Sequence, residues 1–118
     1  AEQPSLEQRL FDMSRDMLCV AGLDGFLKRT NPAFERTLGW TTAELYARPF
    51  IDFVHEQDRE ATLREMEKLG QGISTLSFTN RYQCRDGSFR RLYWSAHLDP
   101  DSHLLYGVAR FAPGPNED

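Results

Sequence analysis

The chain has 118 residues, of which 40% are hydrophobic and 27% charged, with a formal net charge of −4, and this suits one compact domain because single domains commonly have about 100 to 150 residues. Its Lys and Arg residues are spread along the chain rather than gathered into the basic patch of a nucleic-acid binder, so we expect no nucleic acid as a partner. No apolar run approaches the roughly 18 residues of a membrane span, so we expect no direct membrane contact.

The first part of the chain predicts a helix followed by a hairpin. Apolar residues recur at helical spacing after Ser5, a suitable N-cap, and predict a leading helix over residues 5–15 with a narrow apolar stripe. Leu6, Leu10 and Met13 form the stripe, and Met17 continues its spacing. Residues 17–21 are apolar and predict a strand, and Asp24-Gly25 suits the tight turn before a second strand over residues 26–30.

The middle third predicts short helices instead of strands. Asn31 can cap a helix that begins at Pro32, because Pro loses no hydrogen bond at the first helical position, and Gly39 can end that helix. Thr41 and Glu44 have the spacing of a capping box, which predicts the start of another short helix.

A longer, charge-rich helix is predicted over residues 55–69. Leu63, Met66 and Leu69 mark its buried stripe, and Gly70 can end it. From residue 75 onward the apolar period changes to two, which is the pattern of strands rather than helices.

Three strands are predicted in the last third. The inward face of the first is predicted to carry Leu76, Phe78, Asn80, Tyr82 and Cys84. After the turn at Asp86-Gly87, the inward face of the next is predicted to carry Leu92, Trp94, Ala96 and Leu98, and residues 104–111 form the last strand. The element order predicts an α+β domain: a five-stranded antiparallel sheet with helices packed on one face and a leading N-terminal helix.

The inward strand positions are candidate pocket-lining residues. Asn80 is the plainly polar residue among them, and a buried Asn must find hydrogen-bond partners or cost about 1–3 kcal/mol. Either it bonds a nearby backbone group or lies at a strand edge, or it faces a ligand, and the sequence leaves both open. Tyr82 and Trp94 carry a polar group on a large ring, although packing alone also explains such residues. The candidate lining consists of Leu76, Phe78, Asn80, Tyr82 and Trp94.

Two blocks of the sequence resemble the PAS domain, a small sensor module. The first contains Asn31-Pro32-Ala33-Phe34, Leu38-Gly39-Trp40, Glu44-Leu45, Pro49-Phe50, Phe53-Val54-His55 and Asp58-Arg59. The second runs from Arg81 through Asp86-Gly87 to Trp94, and it resembles a strand pair of the PAS subfamily found in bacterial sensor histidine kinases and diguanylate cyclases. The resemblance covers about residues 10–111. It implies a PAS domain over residues 17–112, with a helix and linker over 1–16 and a C-terminal linker over 113–118.

The resemblance implies a pocket between the sheet and the middle helices, and a role in signal transduction. We expect a sensory domain of a multidomain bacterial protein, a sensor histidine kinase being the first choice, that regulates an attached output domain through ligand binding or dimerisation. The alternative is a ligand-free interaction or dimerisation module, attached for example to a diguanylate cyclase. We expect no enzymatic activity in the domain itself, because its inward strand positions carry no Asp, Glu, Lys or His.

Further expectations concern the domain's context. The expected partners are an effector domain of the same polypeptide, a second copy of the chain and a small-molecule ligand. The apolar stripe of the leading helix, with Phe89 and Tyr93 on the outer face of the sheet, could supply the homodimer contact. Residues 1–3 look like the start of a fragment excised from a longer protein, and relatives of this type are usually cytoplasmic.

The sequence does not identify a cofactor, and neither haem nor a light-sensing flavin is expected. Haem-binding relatives carry their ligand within the helical block, where His55 opens the long helix and is expected to cap or pack. The flavin subfamily needs a reactive Cys in an Asn-Cys-Arg motif on the middle helices, and Cys19 and Cys84 lie elsewhere. We also expect no disulfide between these cysteines and no metal site. His97 and His103 flank a turn and are expected in solvent.

Overall fold

Five antiparallel strands form one sheet in residues 3–111, the part of the chain that the computed structural model describes. In chain order the elements are α1 (Leu6–Met13), β1 (Met17–Gly22), β2 (Leu27–Thr30), α2 (Pro32–Leu38), α3 (Thr42–Tyr46), α4 (Arg59–Gly70), β3 (Thr75–Gln83), β4 (Phe89–Leu98) and β5 (Leu104–Phe111), with 3₁₀ turns at Phe50–Phe53 and Glu56–Asp58. The strand order across the sheet is β2-β1-β5-β4-β3. The predicted α+β architecture is confirmed, whereas the predicted linker over 113–118 lies outside the described residues.

The helical block packs against one face of the sheet and buries the core there. The largest fully buried side chains include Met17, Phe34, Leu38, Leu45, Phe53 and Leu92. Two local signals that position this block are confirmed: Gly39 ends α2 at φ 89°, and Thr41 and Glu44 form a reciprocal capping box at α3. None of the helices within residues 3–111 combines the length and the apolar character that crossing a membrane requires.

Asn31 stands at the N-cap position of α2, but its side chain does not cap the helix. Its Oδ1 accepts a hydrogen bond from the backbone N of Leu18 at 3.0 Å, and its Nδ2 donates to the carbonyls of Phe11 at 3.0 Å and Asp16 at 2.9 Å. The predicted cap is therefore wrong. The segment between α1 and β1 passes beside Asn31 in the fold, so the Asn31 side chain bonds this segment instead of the first turn of α2.

The leading helix α1 is confirmed, although it is shorter than predicted. Ser5 caps it by accepting from the backbone N of Gln8 at 3.1 Å. The guanidinium of Arg29 lies 4.3 Å from the Phe11 ring and donates to Gln8 Oε1 at 2.8 Å, which fastens the helix to β2. The apolar stripe is exposed to solvent: Leu6 is 69% exposed, Leu10 58% and Met13 74%.

A β-bulge near the start of β3 changes which side chains point inward. Thr75 pairs with Ala96 and Phe78 with Trp94, so a step of three residues on β3 opposes a step of two on β4. The extra residue leaves Thr75 buried and Leu76 83% exposed. The prediction that Leu76 faces inward is wrong, because it assumed an unbroken alternation along the strand.

Helix α4 turns Thr62 rather than Leu63 toward the core. Thr62 is 4% exposed and Leu63 is 54% exposed. The Thr62 hydroxyl is satisfied there because it donates to the carbonyl of Asp58, one turn earlier, at 2.7 Å. The predicted stripe is confirmed at Met66 and Leu69, which pack in the core, and is wrong at Leu63.

Candidate ligand cavity

A cavity lies between the inner face of the sheet and α4. Its volume, counted as the space open to the centre of a water molecule, is about 80 Å³. Since about 10–15 Å³ of such space holds one water molecule, there is room for a molecule of about five to eight non-hydrogen atoms. The wall is mostly apolar and includes Cys19, Leu27, Phe50, Met66, Ala96 and Leu105.

The structure brings four of the five predicted lining residues together at this cavity. Phe78, Asn80, Tyr82 and Trp94 all contribute to its wall. Leu76 lies outside because the bulge in β3 turns it to solvent, and Thr75 takes the corresponding place in the wall.

Asn80 is buried, and both ends of its amide are engaged in hydrogen bonds. The indole N–H of Trp94 donates to Asn80 Oδ1 at 2.8 Å, and Asn80 Nδ2 donates to Thr62 Oγ1 at 3.2 Å. Thr62 in turn donates to the carbonyl of Asp58. Asn80 therefore has partners within the fold, and they are side chains of β4 and α4 rather than the nearby backbone group considered from the sequence.

Tyr82 is 2% exposed and lies in the cavity wall, with its ring centroid 5.6 Å from that of Trp94. Its hydroxyl forms no hydrogen bond with any residue in the range 3–111. Burial raises the pKa of this phenol well above its usual value, and the nearby Cys19 thiol adds to the effect, so the hydroxyl stays protonated at neutral pH. The Tyr82 hydroxyl is not among the fully buried polar atoms that lack a partner, so a ligand atom or an ordered water can reach it and accept its hydrogen bond.

The part of the wall formed by β1 and β5 is uncharged and tightly packed. Burial raises the pKa of the Cys19 thiol to about 12, although a hydrogen bond with the backbone of Gly107 works against this, so Cys19 is not ionised at neutral pH. Gly107 keeps the space open: a Cβ at this position would lie 3.2 Å from Cys19 Sγ and 3.5 Å from the Trp94 ring. Cys19 and Cys84 are both buried free thiols.

Sequence reasoning missed a charged residue in the wall, Glu65. Its Oε2 accepts from Thr75 Oγ1 at 2.8 Å, and its Oε1 lies 2.8 Å from Lys68 Nζ. The Lys68 hydrogen bond, with a contribution from Thr75, lowers the pKa of this carboxyl, so it is a carboxylate. The sequence analysis looked for charged residues at the inward strand positions alone, whereas Glu65 comes from α4. Glu65 follows Thr62 by three residues, so it would have been expected on the inward face of α4 if Thr62 rather than Leu63 had been assigned to the buried stripe.

The polar contacts at the start of α4 fasten this helix to β3. Asp58 Oδ2 accepts from the backbone N of Arg81 at 2.8 Å and from its Nε at 2.9 Å, and Oδ1 accepts from its terminal guanidinium nitrogen at 2.9 Å. These side-chain hydrogen bonds lower the pKa of Asp58 below its usual value. The helix that covers the cavity is therefore held at its N-terminus by a charged contact.

The histidines have structural or solvent-exposed positions. His55 Nδ1 accepts from the backbone N of Gln57 at 3.1 Å, and its ring packs 4.6 Å from that of Phe89, which confirms the predicted capping and packing role. His97 and His103 are exposed, as predicted. In the described part of the chain, no three His, Cys, Asp or Glu side chains are grouped as a metal site would need.

Comparisons with known proteins agree with this architecture. A family model described as PAS fold matches residues 28–105. A domain of a sensory box sensor histidine kinase/response regulator from Geobacter sulfurreducens is 23% identical, with a TM-score of 0.76 over 88% of this chain and 90% of that chain. The PAS domain of an HTR-like protein from Haloarcula marismortui is 22% identical, with a TM-score of 0.77 over 90% and 94%.

A third similar structure is the N-terminal domain of a diguanylate cyclase with PAS/PAC sensor from Marinobacter aquaeolei. It is 17% identical, with a TM-score of 0.70 over 81% of this chain and 94% of that chain. At these identities the likeness concerns the fold alone. A search of curated proteins found no significant match.

Proposed function

Because the chain belongs to the PAS-fold family, we propose that it is a sensory domain in which a small molecule occupies the cavity and an output domain of the same polypeptide responds. The observation that carries this proposal is the mostly apolar cavity between the sheet and α4, whose lining includes Tyr82, a residue with no hydroxyl partner among residues 3–111. In this scheme the ligand favours one of two conformations, and the free energy of coupling equals the difference between its affinities for them.

The proposed context is a signalling protein. Two of the similar structures are named as parts of a sensor histidine kinase and a diguanylate cyclase, and this supports an output domain of one of these kinds, the kinase being our first choice. We propose a cytoplasmic PAS domain over residues 17–112, flanked by a helix and linker over 1–16 and a linker over 113–118.

Helix α4 is the element best placed to respond to a ligand. It covers the cavity with Thr62, Met66 and Leu69. Three polar contacts join it to β3: Asp58 with Arg81, Thr62 with Asn80, and Glu65 with Thr75. A molecule that fills the cavity would press on the apolar face between these contacts, so its binding would change the distance between α4 and β3.

Replacing Ala96 with Ile should prevent occupancy while preserving the fold. Ala96 lines the cavity on β4, opposite Gly107 of β5. Three added carbon atoms would fill part of the empty space, and a β-branched side chain suits a strand. We expect native mass spectrometry of the freshly purified domain to show a reproducible extra mass on the wild type that is reduced at least about tenfold in Ala96→Ile, a loss of about 1.4 kcal/mol of binding free energy.

The matched control is Ala43→Ile, the same change at an exposed position of α3, which should leave the bound mass unchanged. Circular dichroism would verify that both variants are folded. A wild-type domain that carries no extra mass, and that takes up none of a panel of small neutral and charged molecules, would contradict the sensory proposal.

A second candidate function, a dimerisation module, is favoured by the exposed apolar stripe of α1. Its members are more than half exposed, although the remainder of the helix is fastened to β2. On the outer face of the sheet, Phe89 is 40% exposed and Tyr93 44% exposed. We propose a second copy of this chain as the occupant of the stripe, because a symmetric pair of such helices would bury both stripes together.

Leu10→Gln should weaken this homodimer. Burying a Leu side chain contributes about 1.5–3 kcal/mol, and a symmetric dimer buries it twice, so the dissociation constant should rise at least about a hundredfold. Leu63→Gln is the control, since Leu63 is 54% exposed on α4, away from the stripe. Sedimentation velocity over a concentration series would measure both. A wild-type chain that sediments as a monomer at every concentration would rule out the dimer.

A further inference from the structure

The wall of the cavity offers no free charge to a ligand. Within residues 3–111, Glu65 is the charged member of the wall, and its carboxylate is already bound to Lys68 and Thr75. An anion in the cavity would face this carboxylate with no cation among the wall residues, and a cation would compete with Lys68 for it. An ion that leaves water for a mostly apolar wall loses hydration without gaining a free partner, so the wall disfavours charged molecules.

Few hydrogen-bonding groups of the wall lack a partner in the fold. Asn80 bonds both Trp94 and Thr62, and Thr75 donates to Glu65. The Tyr82 hydroxyl has no such partner among the described residues, and Tyr82 is nearly fully buried. Because this phenol stays protonated at neutral pH, it can donate to a ligand.

We infer that the cavity binds an uncharged, mainly apolar molecule of about five to eight non-hydrogen atoms that accepts one hydrogen bond from the Tyr82 hydroxyl. This inference rests on the proposed sensory function and specifies the chemical class of its ligand. The hydroxyl orients the molecule, while the apolar side chains around it supply most of the affinity.

Phenol and toluene form a matched pair of probes for this inference, because they have the same shape and differ in a hydroxyl against a methyl group. Their binding would be followed by amide chemical shifts in a ¹H–¹⁵N NMR titration, with Asn80 and Gly107 as reporters in the wall. The quantity to measure is the ratio of the phenol affinity to the toluene affinity, because the methyl group of toluene gains hydrophobic burial that can offset the net hydrogen bond of phenol. Cyclobutanecarboxylate and cyclohexylammonium carry a negative and a positive charge on rings with the same number of non-hydrogen atoms as phenol, and they should produce no saturable shift at these amides.

Tyr82→Phe should lower the ratio of the phenol affinity to the toluene affinity. Its affinity for phenol should fall by about twofold to tenfold, whereas its affinity for toluene should be unchanged. Tyr93→Phe removes the same hydroxyl from a ring on the outer face of the sheet, and it should leave the binding of both probes as in the wild type.

The possible results separate this inference from the proposed function. A Tyr82→Phe variant that keeps the wild-type ratio of phenol affinity to toluene affinity would overturn the role of the hydroxyl. Saturable binding of cyclobutanecarboxylate or cyclohexylammonium at the reporter amides would overturn the uncharged class but leave the sensory function standing, as would a retained native mass together with no binding of any probe. No retained mass and no binding of any probe would overturn both.

Discussion

Replacing Asn31 with Ala should lower the free energy of unfolding by about 2–4 kcal/mol, because it leaves several buried polar groups without partners, each costing about 1–3 kcal/mol. The Asn31 side chain is 2% exposed and bonds the backbone of Leu18, Phe11 and Asp16. Water cannot readily replace these contacts at such a site. The variant should also release α1, because the segment that connects this helix to β1 loses its attachment to the rest of the domain.

Urea denaturation monitored by tryptophan fluorescence would measure this loss, and amide hydrogen exchange of α1 would report the release. Ser5→Ala is the comparison, since it weakens the same helix at an exposed cap and should cost only about 0.5–1 kcal/mol. Asn31→Asp tests the geometry: one oxygen still accepts from Leu18, but the other faces the carbonyls of Phe11 and Asp16. It should be at least as destabilising as Ala. A loss below that of Ser5→Ala would refute the role assigned to Asn31.

Features of the fold that depend on neighbouring residues could be predicted from the sequence. A capping box needs only the three-residue spacing from Thr41 to Glu44, and Gly39 ends α2 because glycine adopts positive φ at little cost. Likewise, four of the five lining residues were found because side chains alternate along a strand. The PAS resemblance also depends on short blocks of neighbouring residues, so it too could be found from the sequence.

What the sequence did not predict depends on contacts between distant elements. Leu76 was misplaced because a bulge depends on how β3 pairs with β4. Leu63 was assigned to the core by its hydrophobicity, yet Thr62 can be buried once its hydroxyl bonds the preceding turn. The carboxylate of Glu65 and the hydroxyl of Tyr82 in the cavity wall could be identified only from the packing of α4 on the sheet, because the hydrogen-bond partners of the wall residues come from different elements.

Asp58→Asn should lower the free energy of unfolding by about 2–4 kcal/mol at neutral pH. Both carboxylate oxygens of Asp58 accept hydrogen bonds from Arg81, and the Asp58 side chain is 20% exposed. An amide of the same shape has one oxygen, so its NH₂ group would face an Arg81 donor, and the charge attraction would be lost as well. The start of α4 would then separate more readily from β3, which should also loosen the cover of the cavity.

The effect of Asp58→Asn should depend on pH in a defined direction. The hydrogen bonds from Arg81 lower the pKa of Asp58 in the folded state below its ordinary value of 3.8. A carboxyl with a lowered folded pKa stabilises the fold above its unfolded pKa, and that contribution is lost as the pH falls through the folded value. The difference in unfolding free energy between wild type and variant should therefore be constant above about pH 5 and decrease steadily below about pH 4.

Urea denaturation at a series of pH values would measure it, with Glu60→Gln as a control, because Glu60 pairs with Arg64 in solvent and should show no measurable change. A difference that stayed constant into acid would mean that Asp58 holds α4 by its shape and not by its charge.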